Sequence, residues 1–499
     1  MFRIRIVSTG SNNKAVQIVR KGGHSIKLIK HIGTARDNNS LEQLKKLAGN
    51  FIFRNQKQMS LLPEVVFGKQ NLNSFHLTFL EDVEIGKTTH KFAYDFLTAW
   101  YRACGFSKLK EKLLQDLVII RWLEPASKLR SIGLLKKYFN IKYPKNSVYQ
   151  KLFLFNKLKE KAEAAAFKYA KKNFNFTASV VFYDVTTLYY ESFNDDELRK
   201  CGFSKDNKSN QPQIVIGLVV DSYGFPLGYN IFEGNKFEGH TFIPTILRVK
   251  KLHEIKNLTV VADAAMISES NMAKLNQQNL NYIVGARIAN LSIKTIEYIA
   301  GKINKTENAY AILQTSKGKL ICGYSKQRAA KNRSDRNKQI KKAMYQIKYP
   351  NQISRRSRFV QSNQKFKLSL NKLMVHKYEL LEGLKGYYTN LRNVKENLIV
   401  SRYRDLWNVE KSFRIAKSDL LARPIYHYKK ESIESHILIV FIALCLAKAI
   451  ERQTNLSVRS IKDKIWAIQD VELIDRRMKQ IISKRMVVSE EVKNLFPKL

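Results

Sequence analysis

Two aspartates and a glutamate stand out among the residues able to do chemistry. Asp184 lies within Val-Val-Phe-Tyr-Asp-Val-Thr-Thr-Leu-Tyr-Tyr-Glu, residues 180–191, a stretch that reads as a buried strand. A carboxylate among apolar neighbours is unfavourable unless something compensates it. Asp263 ends a second apolar stretch, Leu-Thr-Val-Val-Ala-Asp-Ala-Ala, residues 258–265, and Glu410 sits far downstream on a helix-like segment. Cleaving or transferring a phosphodiester requires an attacking oxygen made nucleophilic and a leaving oxygen stabilised, and a pair of divalent ions does both. Mg²⁺ takes hard oxygen ligands, usually one or two carboxylates per ion. Three acids around two Mg²⁺ ions meet that need without any His or Cys. Taken singly the acids say less. Asp263 equally reads as a turn or cap residue before the helix that starts at Ser268, and helical glutamates are common. The metal reading rests on the combination.

The segment around Glu410 reads Ser-Arg-Tyr-Arg-Asp-Leu-Trp-Asn-Val-Glu-Lys-Ser-Phe-Arg-Ile-Ala-Lys, residues 401–417. On one continuous helix, Tyr403, Trp407, Glu410, Arg414 and Lys417 recur at steps of three or four and share a face. An acid, two cations and two aromatics make a poor core stripe. They suit a surface that holds metal and nucleic acid together, the cations on phosphates and an aromatic on an unpaired base. The plainer alternative is a Glu410–Arg414 ion pair on a solvated helix.

Composition agrees with a polyanionic partner. The chain has 499 residues, 88 Lys or Arg against 42 Asp or Glu, and a net charge of +46. Such a charge attracts DNA or RNA first and an anionic membrane surface a distant third. A basic protein from an AT-rich genome is the bland explanation, which abundant Lys and Asn fit, but it leaves the deficit of acids unexplained. With 44% hydrophobic residues the chain is globular rather than disordered. Cys104, Cys201, Cys322 and Cys445 are widely spaced, so neither a zinc finger nor a disulfide framework is indicated, and reduced thiols in a cytoplasmic protein are expected. The N-terminus does not read as a signal peptide. The longest apolar run, Ile437–Ala447, is too short to span a bilayer and reads as a buried helix, so no membrane partner is expected.

These residues must be positioned by elements that the pattern divides into six stretches. Residues 1–90 read as a small β-rich or mixed region, and 91–176 as a helical region able to bind DNA or merely to pack on its neighbours. Residues 177–290 read as a mixed α/β layer, with a hairpin turning at Asp221-Ser222-Tyr223-Gly224. Residues 291–394 read as a basic insertion with short strands. Between Lys326 and Arg358 it holds twelve Lys or Arg, Arg328, Lys331 and Arg333 among them, and one acid, Asp335. That run reads as a DNA contact, or as a solvated helix face. Residues 395–455 are helical around Glu410, and 456–499 form a basic helical tail.

In order and spacing these motifs resemble the bacterial insertion-sequence DDE transposases, in the branch with the signature Tyr-x2-Arg-x3-Glu-x6-Lys. Tyr403, Glu410 and Lys417 fit it, whereas Leu406 occupies the signature Arg position, leaving Arg404 or Arg414 to take over the phosphate contact. The resemblance extends to Gly234-Asn235, Tyr-Ser-Lys-Gln-Arg-Ala at 324–329 and Arg423-Pro424-Ile425-Tyr426-His427. It implies an α/β, RNase H-like catalytic core with a β-containing insertion between Asp263 and Glu410. It implies that Asp184, Asp263 and Glu410 are the catalytic metal ligands, and that Mn²⁺ substitutes for Mg²⁺. It also implies binding of double-stranded DNA at terminal inverted repeats, cleavage of the element ends, joining of 3′ hydroxyls to target DNA, and a homodimer that synapses two ends. An RNase H-like nuclease, or a catalytically silent DNA-binding remnant, is the alternative.

Overall fold

The computed structural model describes all residues except 1, 11–12, 23–24, 57–82, 177–178, 192, 209, 267, 351–356, 363–366, 476–479 and 498–499. Two compact units result, Met1–Phe79 and Leu80–Leu499. In the first, the alternating residues of Phe2–Ser8, Lys14–Gly22 and Ser25–Ala35 form an antiparallel three-stranded sheet. The helix Asn38–Gln56 packs on it, and Val16, Ile18, Ala35, Leu41 and Ala48 make the core. Residues 57–82, part of the region read as 1–90, lie outside the described residues.

The second unit is built on an eight-stranded mixed sheet. Its order is Tyr310–Thr315, Gly318–Tyr324, Leu384–Thr389, Asn281–Ala286, Thr259–Ala262, Val180–Tyr189, Gln213–Val220 and Pro226–Glu233. Val180–Tyr189, Thr259–Ala262 and Asn281–Ala286 run parallel to one another, and the remaining pairs are antiparallel. The last two of these strands to appear along the chain before Glu410, together with Tyr310–Thr315, come from the stretch read as an insertion. Rather than standing apart, they extend the catalytic sheet. The basic run forms the helix Lys326–Lys348.

Central strands such as Gln213–Val220 are buried on both faces, which explains their unbroken apolar sequence. Thr186, Leu188, Ile216 and Leu218 face the helix Lys430–Thr454. This helix is apolar and long enough to cross a membrane, but it is almost wholly buried inside the protein. Around it pack the helices Lys112–Leu123 and Lys145–Phe155 of the helical region. Glu163, on the helix Lys159–Phe174, ties that region to the sheet. It accepts 2.7 Å hydrogen bonds from both Arg248 guanidinium nitrogens, a 3.0 Å bond from Lys159 and a 2.9 Å bond from the Tyr229 backbone N–H.

The C-terminal stretch differs from the helical tail read from sequence. After the helix Val458–Trp466 come the strands Asp470–Asp475 and Gln480–Arg485. The first of these also pairs with Val83–Thr89, giving a three-stranded sheet. Asp470 fixes the junction, accepting from the Phe92 backbone N–H at 3.0 Å and pairing with Arg485 at 2.7 Å. Sequence reading missed Asp470–Asp475 because one of its two partners, Val83–Thr89, lies almost the whole unit away along the chain.

Candidate active site

Strand register brings the two aspartates together. Tyr183 lies opposite Ala262 on adjacent parallel strands, so the next residue on each is an aspartate, Asp184 and Asp263. Alternation along the strand puts Asp184 on the face of Thr186 and Leu188. Burial pushes its pKa up to about 6. The charge of Lys205 and a hydrogen bond from the Val185 backbone oppose that shift, while Asp263 and Glu238 add to it. Asp263 is more exposed, and its Oδ1 accepts a 3.1 Å hydrogen bond from the Tyr403 hydroxyl. Gly285 makes room for this contact, since a Cβ there would collide with the Tyr403 hydroxyl.

The shared helical face expected from Tyr403 to Lys417 does not form. The helix Glu396–Arg404 ends, a turn at Asp405-Leu406 intervenes, and a new helix runs Trp407–Arg414 before a π-helical turn at Ile415–Asp419. Leu406, buried at the junction, breaks the periodicity. Tyr403 is buried and turned to Asp263, whereas Trp407, Glu410 and Arg414 are exposed on the second helix. Glu410 and Arg414 form no ion pair with each other. Lys417 turns away to Asp206, at 3.1 Å, which also pairs with Arg423 at 3.1 Å. Arg404 is exposed.

The Glu410 helix is held by the turn that the sequence marks as a hairpin. Ser412 donates to the Gly224 carbonyl at 2.6 Å and Asn408 to the Ser222 carbonyl at 2.8 Å. Gly224 has φ 82°, and a Cβ there would strike the Asn408 carbonyl. Asp221 fixes the turn by accepting from the Tyr223 and Phe225 backbone N–H groups, and pairs with Arg452 of the buried helix at 2.8 Å.

Lys385 is the hub that relates Glu410 to the aspartates. Its ammonium lies 4.4 Å from the centre of the Tyr403 ring. Burial and the charge of Arg328 lower its pKa, while Asp263 and Glu410 both act to raise it. Arg328 thus reaches the site's surroundings. Lys331 and Arg333 are exposed on the same helix, with Arg333 paired to Glu382 at 3.2 Å.

Sequence reading missed Lys385, Lys205 and Glu238. Lys205 sits 3.0 Å from Glu238 and 4.0 Å from Asp184, and donates to the Val185 carbonyl at 2.5 Å. Nothing in its loop sequence distinguishes it. The signal for Lys385 was a cation at the start of an otherwise uncharged strand.

A divalent cation fits the donor set. Asp184 is a partly buried carboxyl short of positive charge, with Asp263 beside it, and both offer the hard oxygens that Mg²⁺ or Mn²⁺ prefers. Among the described residues no three Asp, Glu, His or Cys side chains gather closely enough to hold a metal ion together. The aspartate pair is therefore the tight part of the site, and Glu410 is exposed on a separate helix.

A family model described as "Transposase DDE domain" matches residues 175–446, more than half of the chain. One similar solved structure is a piggyBac transposase synaptic complex with hairpin DNA. It shares 10% identity and a TM-score of 0.34, over 80% of this chain and 73% of that one. No curated protein matches the sequence. The family match spans Asp184, Asp263 and Glu410 alike, and by it the chain belongs to the DDE transposases, enzymes of DNA transposition that depend on divalent metal ions.

Proposed function

We propose that the protein binds the terminal inverted repeats of its own mobile element, cleaves the element ends and joins the exposed 3′ hydroxyls to target DNA. Asp184, Asp263 and Glu410 are the catalytic carboxylates and hold two Mg²⁺ ions, with Mn²⁺ able to replace them. The observation that carries this reading is the parallel register of Tyr183 with Ala262, which sets Asp184 beside Asp263. When bound, the ions activate the attacking oxygen and stabilise the leaving one.

The chain's own residues prepare that chemistry. Tyr403 fixes the orientation of Asp263 through its 3.1 Å hydrogen bond. Lys385 and Arg328 set positive charge beside the acids, where a DNA phosphate would lie. Arg404, Trp407 and Arg414 are exposed around Glu410 and serve as DNA contacts, with Lys331 and Arg333 further along the basic helix. The spacing of Tyr403, Glu410 and Lys417 favours the Y-R-E-K branch. Leu406 does not count against this, because its side chain is buried at a helix junction and Arg404 supplies an exposed cation two residues away. Two copies acting as a dimer would synapse the two ends, and the segments 91–176 and 291–394 supply further DNA-binding surface.

The test is nicking of an inverted-repeat duplex with Mg²⁺. Asp184→Asn, Asp263→Asn and Glu410→Gln each abolish cutting while duplex binding persists. If all three variants still cut, the assignment fails. Covalent joining to a target plasmid separates a transposase from a nuclease that only hydrolyses.

A further inference from the structure

A second charged cavity lies away from the aspartates, and nothing in the reaction described above uses it. It encloses about 580 Å³ between the start of the helix Lys128–Phe139 and the loop that follows the Glu410 helix. Arg121, Lys128, Arg130, Arg423, His427 and His436 line it, and no carboxylate does. Lys128 is only 3% exposed. Among the described residues its one hydrogen-bond partner is His436 Nδ1 at 3.1 Å, and His436 Nε2 faces the Ala422 carbonyl at 3.0 Å. That carbonyl requires the proton on Nε2, so Nδ1 accepts from Lys128 and two ammonium donors are left over. Arg121, also buried, spends its donors on the carbonyls of Ala126, Leu420 and Leu421. Glu124, the acid nearest in sequence, is occupied by Arg130 at 3.1 Å and the Tyr138 hydroxyl at 2.6 Å.

Buried cations without a carboxylate are as unfavourable as a buried carboxylate without a cation. Burial, with Arg121 adding to it, holds Lys128 well below the usual lysine range. Burial, with Lys128 adding to it, lowers His436 well below the usual histidine range and His427 to about 3. An anion entering the cavity would relieve all three. The N-terminus of a twelve-residue helix, capped by Ser127, points at the same space and favours negative charge.

The cavity is tied to the catalytic strand. The Ile425 backbone N–H donates to the Tyr189 carbonyl at 3.2 Å, and Tyr190 bridges to Ile425.

We propose that this cavity is a phosphate site that takes an internal phosphodiester of the bound DNA through Lys128 and Arg130. This rests on the DNA reading given above and adds a backbone contact outside the aspartate pair.

The experiment is a salt titration of duplex binding by the full chain, by fluorescence anisotropy, for wild type, Lys128→Met and Arg130→Gln. Each lost phosphate contact lowers the slope of log affinity against log salt by about one, and each variant should bind roughly tenfold more weakly at low salt. Arg130 is exposed, so its variant stays informative if the buried Lys128 variant does not fold. A second readout follows the imidazole resonances of His427 and His436 by NMR, with the duplex in one arm and inorganic phosphate alone in the other. Resonances that move with the duplex support the site. Resonances that move only with inorganic phosphate overturn it in favour of a free phosphate ligand. Variants that keep the wild-type salt slope overturn it outright. A wild type that binds no duplex at all would instead sink the DNA reading.

Discussion

Glu163, fully buried, and Asp184, partly buried, are both carboxylates supporting one sheet, and the protein treats them in opposite ways. Burial raises the pKa of each. For Glu163, the hydrogen bonds from Arg248 and the charges of Lys159 and Arg248 outweigh burial, and its pKa ends below the ordinary carboxylate range. For Asp184, Lys205 at 4.0 Å is too distant to do the same, and the pKa stays up at about 6. A satisfied buried acid joins two parts of a fold. An unsatisfied one, set beside a second acid, is held ready for a cation that comes and goes. The difference separates an architectural carboxylate from a reactive one by its partners rather than by its burial.

The contrast can be broken most directly at Asp184. Asp184→Asn should lower nicking by about a thousandfold or more, since several kcal/mol of transition-state charge stabilisation go with the ligand. In the metal-free protein the same change should raise the melting temperature by a few degrees. A carboxyl raised from 3.8 to about 6 burdens the folded state on the order of 2–3 kcal/mol once ionised. The folded state holds the extra proton, so wild-type stability falls as pH rises from 3.8 through about 6. The advantage of the Asn variant in thermal melts should therefore be absent below that window and full above it. Glu163→Gln should behave in the reverse sense. It leaves Arg248 without its carboxylate and should cost about 3–5 kcal/mol in denaturant unfolding, with unchanged nicking per folded molecule. A Glu163 variant as stable as wild type would erase the distinction.

Smaller effects sharpen the reactive side. Tyr403→Phe keeps the ring between Lys385 and Tyr387 but frees Asp263, and should reduce metal affinity or nicking by roughly 10- to 100-fold. Ser412→Ala removes the hydrogen bond to Gly224 that seats the Glu410 helix. It should cost about 1 kcal/mol of stability and lower nicking less than the Tyr403 change does.

The sequence made the reactive acids legible because a lone carboxylate within Val-Val-Phe-Tyr-Asp-Val defies the pattern of a buried strand. The hairpin at Asp221–Gly224 was equally readable from its turn residues. Periodicity misled at 401–417, where one helix was expected and Leu406 marks the break between two. That apolar residue satisfies the core at the junction, an effect visible only in three dimensions. Lys205 stayed hidden because a single loop lysine in a chain with 88 Lys and Arg carries no local signal, and Lys385 had only its place at the start of an uncharged strand to mark it. The strand Asp470–Asp475 was unreadable for a related reason, as one of its pairing partners lies at Val83–Thr89.

That pairing also sets a schedule for synthesis. Val83–Thr89 leaves the ribosome early and finds its neighbour, Asp470–Asp475, only when nearly all of the chain has been made. At about 5–20 residues per second, its edge stays open for roughly 20–80 s on each nascent molecule. Throughout that interval Glu84 and Lys87 are the charges on the strand that oppose pairing with another copy. Closure of the large unit is thus among the last events of each molecule's production, and a chain cut short before residue 470 never reaches it.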